Sequence, residues 1–361
     1  MNRRNFVKMM LAAPFSIYFN SAEASSMKLF DNNAPEISYF GRWRNGYTGF
    51  GATYIKVKFT GKKIGAILKS PGVWWRVSVD NGKKRKFTAD GEVILAENLE
   101  NKEHEILLVR STEGQAGVSY FGGFLLENNA KLIKSERKNR TLEFIGDSIT
   151  AGAMNDGKLN SANYNEVGDN DAAYGPVLAR MLNAEYSVVA KSGQGAAVNY
   201  SERPPFNMPH AADLYNWTFF SNTFDENNIE WEAKNFPVDA TFVAYGVNDF
   251  LTPYEKPSEQ QFKRGYKRII RNIRRKNGNI PIICLIIPSQ KTVPFAAKYV
   301  SETVNELQIL GDKNIHYIEI NEKGPLLKAS DFIGDNVHPT KEGSKKTAEF
   351  LLPKVKKILN W

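Results

Sequence analysis

Four short segments of the sequence carry side chains that could carry out acyl transfer together. Gly146-Asp-Ser-Ile-Thr-Ala-Gly152 offers Ser148. A free serine hydroxyl is a poor nucleophile and needs a base beside it. Gly334-Asp-Asn-Val-His-Pro-Thr340 offers Asp335 and His338, three residues apart. A loop of that length can fold the carboxylate onto the imidazole Nδ1–H, which fixes the tautomer and leaves Nε2 to take a serine proton. Lys191-Ser-Gly-Gln-Gly195 contains glycines, which let a backbone N–H come close to a ligand. Tyr245-Gly-Val-Asn-Asp249 contains Asn248, whose amide can donate to an oxyanion. Taken singly, each segment has an ordinary reading: a capped turn, a strand–helix turn, an Asn in a turn, a satisfied histidine. His104, His210 and His316 keep that ordinary reading. His104 falls in an alternating β region and His316 inside an expected strand.

The placement of the four segments gives them weight. Leu142–Ile145, Tyr186–Ala190, Ala240–Ala244, Pro281–Ile287 and Ile315–Ile318 are short runs that read as buried strands, with helical stretches between them. In the stretch from Gln260 to Asn277, Phe262, Tyr266, Ile269, Ile270 and Ile273 recur at i, i+4, i+7, i+8 and i+11, one face of a helix. Strand–helix alternation implies a parallel sheet covered by helices on both faces. In such sheets working groups collect just past the carboxyl ends of the strands. Three of the segments follow an expected strand, and the fourth lies in the last loop before a helix starting near Lys341. The earlier part, from about Asp31 to Ile133, differs. Tyr54–Phe59, Trp74–Val79, Glu105–Val109 and Val118–Leu126 are short strands separated by turn residues such as Asp80-Asn-Gly82, the pattern of a β-sandwich or jelly roll.

Gly-Asp-Ser, Ser-Gly, Gly-x-Asn-Asp and Asp-x-x-His, in that order from Leu142 to Trp361, resemble the four sequence blocks of the SGNH/GDSL hydrolases. The resemblance implies a flavodoxin-like, three-layer α/β domain with a parallel sheet. It also implies Ser148 as nucleophile, His338 as base and Asp335 as its partner. The implied oxyanion hole consists of the Ser148 N–H, Gly193 and Asn248, and no cofactor or metal is needed. Phe40-Gly-Arg-Trp43, the strand Tyr54–Phe59, Val77–Asp80, His104–Leu107 and Phe121-Gly-Gly-Phe124 are similar to the N-terminal jelly roll of family 2 carbohydrate esterases. That likeness implies a deacetylase acting on acetylated carbohydrate. Some members of that subfamily lack the aspartate and orient the histidine by a backbone carbonyl. Asp335 stands here at the usual spacing, so a full triad is expected. A peptidoglycan O-acetylesterase, a lysophospholipase-like enzyme, a carbohydrate-binding protein with an inactive esterase site and a metal-dependent deacetylase are the rival readings. No metal-ligand pattern accompanies the last of these.

The start of the chain, MNRRNFVKMMLAAPFSIYFNSAEASS, has the layout of an export signal: positive charge, an apolar stretch from Met9 to Phe19, then the small-x-small site Ala22-Glu-Ala24. The apolar stretch is about half the ~20 residues that a spanning helix needs. No stable membrane insertion is therefore expected after removal. Arg3-Arg4-Asn-Phe-Val-Lys8 resembles the twin-arginine motif, which implies a periplasmic or secreted protein. The expected organisation is a signal over 1–24, a β-sandwich or jelly-roll domain over 27–135 and a hydrolase domain over 139–361. The single cysteine, Cys284, sits in the apolar run Pro281–Ile287, which fits a buried core residue and rules out an intramolecular disulfide. The formal charge of +9 over 361 residues is moderate, and much of it lies on expected helix faces and in the linker Lys134–Arg140. No nucleic-acid module accompanies it, so nucleic acid is not an expected partner. The segment from Ala197 to Pro237 is long for a connection and rich in aromatics. Trp217 and Trp231 are candidates there for stacking on a sugar. The competing reading is a helical insertion that packs its own core.

Overall fold

The computed structural model describes residues 27–361 apart from 159, 162, 225–227, 288 and 290–293. The expected export signal, with Arg3 and Arg4, lies outside the described residues.

The first part of the chain forms antiparallel strands: β1 (Met27–Asp31), β2 (Ser38–Phe40), β3 (Tyr47–Thr48), β4 (Tyr54–Gly61), β5 (Ile64–Val79), β6 (Arg85–Ala96), β7 (Lys102–Arg110), β8 (Ser119–Glu127) and β9 (Leu132–Ile133). The alternation read from Tyr54 to Phe59 is physical. Tyr54, Ile55, Val57 and Phe59 are buried while Lys56 and Lys58 stay partly exposed. Two separate packed sheets were the simplest expectation. The strands instead form one hydrogen-bonded path, β1-β8-β5-β7-β4-β2, with β3, β6 and β9 attached to its sides. The reason lies in β5. Its first half, Ile64 to Lys69, pairs with β8, and its second half, Trp75 to Val79, pairs with β7. Between them the register against β6 shifts from Lys69 to Trp74. Pro71 has no N–H to give to a ladder, and Gly72 takes φ 73°. A long strand broken by such an irregularity bends and carries the ladder round a curl. Ile55, Val57, Phe59, Trp75, Phe121 and Phe124 pack inside it.

The second part contains five parallel strands: β10 (Thr141–Gly146), β11 (Glu185–Ala190), β12 (Ala240–Ala244), β13 (Ile282–Leu285) and β14 (Ile315–Ile318). Their order is β11-β10-β12-β13-β14. Counted within this sheet it is 2-1-3-4-5, the flavodoxin-like order. Every residue of β10, β11, β12 and β13 is buried, as expected of strands covered on both faces. Phe144, Val188 and Phe242 face one core with Leu178, Leu351 and Val355. Ile145, Val189, Val243 and Cys284 face another with Ile269, Ile273 and Val304. The helices are α1 (Ser148–Ala151), α2 (Tyr164–Val167), α3 (Tyr174–Met181), α4 (Ala211–Asn216), α5 (Val247–Leu251), α6 (Glu259–Asn277), α7 (Pro294–Ile309) and α8 (Lys341–Leu359). The five apolar positions read from the period of α6 are its buried residues, and Ser258 with Gln261 forms a capping box at its start.

The two sheets share a core and polar ties. Phe40, Ala52, Tyr54 and Val109 of the front part join the cluster under the parallel sheet. Tyr54 donates to Glu185 at 2.6 Å and Lys56 pairs with the same carboxylate at 2.8 Å. The buried Arg42 guanidinium donates to the carbonyls of Tyr215 and Trp217 and pairs with Glu143. Pairing and these carbonyl acceptors offset the cost of burying its charge.

Candidate active site

Ser148 is the first residue of α1, directly after β10, and is 6% exposed. Asp147 caps this helix by accepting from the Ile149 N–H at 3.0 Å. As the first helical residue, Ser148 has an N–H without an intrahelical acceptor. Gly146 makes the sharp exit from the strand: a Cβ there would stand 2.0 Å from Thr150 Oγ1 and 2.9 Å from the Ala244 carbonyl.

His338 reaches this serine across 190 positions of sequence, with Nε2 at 2.7 Å from Ser148 Oγ. Its Nδ1 contacts Asp335 Oδ2. The other oxygen of Asp335 accepts from the backbone N–H of Val337 and of His338, each at 2.9 Å. The loop therefore folds round the carboxylate as a turn. A bridge between Phe332 and Pro339 closes its base, and Ser289 donates to the Asn336 carbonyl at 3.0 Å from outside. Thr340 caps α8 directly behind. Burial opposes ionisation of Asp335. The His338 ring, the two backbone N–H groups and the imidazole charge outweigh it and hold the carboxyl down at about 2.

Gly193 lies in the loop after β11 with φ 77°, a conformation that favours glycine. Asn248 lies in α5, after β12, and is 8% exposed. Its amide donates to the Gln194 carbonyl at 2.9 Å, which sets the amide plane and leaves a second N–H for another acceptor. The adjacent Asp249 is fully buried and accepts from the backbone N–H of Ala196, Ala197 and Val198 at 2.7–3.0 Å. The loop carrying Gly193 is thus tied to α5 by both residues of the Asn-Asp pair. β10 and β12 flank the point where the strand order reverses, where open α/β sheets form their crevice.

Sequence reasoning missed several contributors. Asp147 was read only as part of a turn. Burial pushes its carboxyl up to about 7, against the Ile149 hydrogen bond and the His338 charge. Asp249 carried no assigned role, although an acid directly after a strand-end Asn is a signal that could have been pursued. Burial also pushes Lys191, before the Ser-Gly pair, down to about 8. Glu113, from the front part, touches Ser192, and no local pattern marks it.

The stacking role expected of Trp217 and Trp231 does not stand. They are 8% and 4% exposed. Trp217 packs in the core around α4 and α6, and its carbonyl is an acceptor for Arg42. Trp231 packs in the other core, with the Arg42 guanidinium 5.2 Å from its ring centre. With so little exposed surface, neither ring presents an open face for a sugar to stack on. Nor does the segment pack a core of its own: Ala211, Leu214, Tyr215 and Trp217 join the cluster with Ile145, Val189 and Val243 on one face of the parallel sheet, and Trp231 joins the cluster on the other. His104 is held by Asp80 and the Glu100 carbonyl, and His210 by Glu202. Among the described residues no group of three His, Cys, Asp or Glu side chains is placed to hold a metal ion, and no helix is long and apolar enough to cross a membrane.

Comparison with known proteins gives matches to both parts of the chain. Residues 41–135 match the carbohydrate esterase 2 N-terminal model, and residues 144–346 match the GDSL-like lipase/acylhydrolase model. The cellulase/esterase CelE of Acetivibrio thermocellus is 27% identical over 92% of this chain, which spans 40% of that longer protein. An acetylxylan esterase / glucomannan deacetylase of Cellvibrio japonicus is 23% identical over 83% of this chain and 82% of its own length. A family two carbohydrate esterase from Clostridium thermocellum, solved in complex with cellohexaose, superposes with a TM-score of 0.81. It is 26% identical and covers 90% of this chain and 99% of its own. With its second sheet matched over more than half the chain, and the carbohydrate esterase 2 N-terminal module in front of it, this protein belongs to the GDSL-like lipase/acylhydrolase family.

Proposed function

We propose that this protein is a serine esterase that removes O-acetyl groups from a carbohydrate through an acyl-enzyme. The observation that carries the proposal is the relay from Ser148 Oγ to His338 Nε2 at 2.7 Å, with Asp335 on the far ring nitrogen. His338 takes the hydroxyl proton as Oγ attacks the ester carbonyl. Asp335 fixes the tautomer and stabilises the imidazolium. The Ser148 N–H, the Gly193 N–H and the Asn248 amide receive the charge that develops on the carbonyl oxygen. His338 returns the proton to the departing sugar hydroxyl. A water, deprotonated by the same ring, then releases acetate and restores Ser148. The carbohydrate substrate is supported by the front module, which matches the carbohydrate esterase 2 N-terminal model, and by the named activities of the relatives. The curled front sheet is read as a jelly-roll domain over 27–135 and the rest as the hydrolase domain over 139–361. Residues 1–24 are read as a twin-arginine export signal, giving a periplasmic or secreted enzyme.

Acetate release from acetylated polysaccharides and peptidoglycan, beside a p-nitrophenyl acyl chain-length series, tests the reading. Activity should be highest on acetyl esters of a polysaccharide and fall with chain length. Preference for long acyl chains would replace it with a lipase-like function, and preference for peptidoglycan with an O-acetylesterase of cell wall. Ser148→Ala should reduce turnover to near background with the fold intact. Retention of more than a few per cent of kcat would show that another nucleophile works.

A further inference from the structure

We infer that Glu113, in the loop after β7 of the front module, positions the oxyanion loop of the rear sheet, so that the front module completes the catalytic site. The inference rests on the esterase reading and assigns a positioning residue to it. Glu113 follows β7 and is 4% exposed. Its carboxylate accepts from the Ser192 N–H at 2.9 Å, from Ser192 Oγ at 2.7 Å and from the Tyr164 hydroxyl at 2.6 Å. A carboxylate this deep is tolerated only when such donors satisfy it. Ser192 directly precedes Gly193. The peptide that supplies the Gly193 N–H is the one whose carbonyl belongs to Ser192, and the two groups point in opposite directions across a planar trans unit. That carbonyl lies 3.5 Å from the amide nitrogen of Gln115, in the turn after β7 of the front module. Both peptides flanking the Ser192 Cα are therefore held from the front module, one by Glu113 and one by Gln115. Rotation about the Ser192 backbone, which would swing the Gly193 N–H away from the developing oxyanion, is restrained at both ends.

The anchor is itself rigid. Arg110 at the end of β7 is completely buried and donates to the carbonyls of Thr48, Thr112, Glu113 and Gly117 and to Ser119 Oγ. It fixes the loop that carries Glu113 and Gln115. Gly114, between them, fits against the Gly49 backbone so closely that a Cβ would stand 2.2 Å from the Gly49 carbonyl oxygen and 2.8 Å from Phe220 Cβ. The Tyr164 hydroxyl, 2.8 Å from Ser192 Oγ, closes the group from the segment after α1. Three stretches far apart in sequence thus converge on the residue before Gly193.

The test is E113Q in the full chain, assayed on p-nitrophenyl acetate and inhibited by phenylboronic acid, which forms a tetrahedral adduct on a catalytic serine. Gln keeps the shape but offers one acceptor atom where three donors converge. Misplacing one oxyanion donor should lower kcat by about 10- to 100-fold. KM should stay within about twofold, the inhibition constant should rise in parallel with the loss of kcat, and Tm should change little. Ser192→Ala, which keeps the N–H bond, should show a smaller loss of the same kind. A rise in KM with kcat intact, or a loss of kcat without loss of phenylboronic acid affinity, would overturn the inference. Should E113Q not fold, Tyr164→Phe and Ser192→Ala remove its partners singly, and unchanged kcat in both would overturn it equally. Ser148→Ala in the same assay separates the two levels. An active Ser148→Ala refutes the esterase site itself, whereas an inactive one beside an undisturbed E113Q refutes only the role of Glu113.

Discussion

Replacing Asp335 by Asn separates a triad from a dyad. The carboxylate contacts His338 Nδ1 and accepts two backbone N–H groups of its own loop. Asn keeps the size and one acceptor but removes the charge that stabilises the imidazolium. Two unit charges at about 3 Å, with an effective dielectric of about 20, interact by about 5 kcal/mol. The side chains of His338 and Asp335 are 21% and 15% exposed, so solvent screens part of this. Every ~1.4 kcal/mol is tenfold in rate. The expected loss of kcat is therefore about 10²–10⁴. The upper end matches the ~10⁴ that an Asp-to-Asn change costs in a serine protease triad, where the wrong tautomer is the cause. The assay is steady-state acetate release, with His338→Ala as internal control because the base is needed in either arrangement. A loss below about threefold for Asp335→Asn, beside a severe loss for His338→Ala, would establish a dyad oriented by a backbone carbonyl and refute the role given to Asp335. The carboxyl is held at about 2, so folding should favour its ionised form. That contribution to stability is complete above about pH 4 and lost as pH falls towards 2. Acid denaturation of Asp335→Asn should accordingly be shallower than that of the parent over this range.

Asn248→Ala should lower kcat by about 10²–10³ with a smaller effect on KM, because the amide acts mainly on developing charge. A rise in KM at constant kcat would make it a ground-state contact. Asp147→Asn should keep the cap on Ile149 while removing a group that burial pushes up to about 7. The unfolded chain ionises near pH 4 and the folded protein does not, so the parent is favoured below pH 4 and loses stability as pH rises towards 7. The variant should match the parent in Tm at pH 4 and exceed it by about 5 °C at pH 8, and an equal shift at both pH values would contradict this. Replacing Arg3 and Arg4 by Lys should block translocation if the twin-arginine route is used, since that route reads the paired arginines. Normal processing of the double variant would remove it.

Much of this protein is legible in its residues because the decisive signals are local. Strand residues alternate or run apolar over a few positions. The face of α6 was readable from its period, and each catalytic segment lies within a handful of residues of a strand end. Asp335 and His338 meet within one loop, so their contact was legible from a spacing of three. What tertiary structure decided involves distance along the chain. The 2.7 Å approach of His338 to Ser148 spans 190 positions and exists only because the last loop folds over the carboxyl end of β10. Trp217 and Trp231 looked like sugar platforms because composition does not show which ring faces are covered, and burial round Arg42, α4 and α6 settled that they are not. The curl of the front sheet depended on one strand, β5, pairing with different neighbours before and after Pro71 and Gly72. Glu113 gave no signal at all: its carboxylate acquires meaning only when the loop after β7 packs against Ser192, 79 positions later. A motif records which groups its own segment can present, whereas cross-sheet contacts depend on the folding of both partners and leave no local pattern in either.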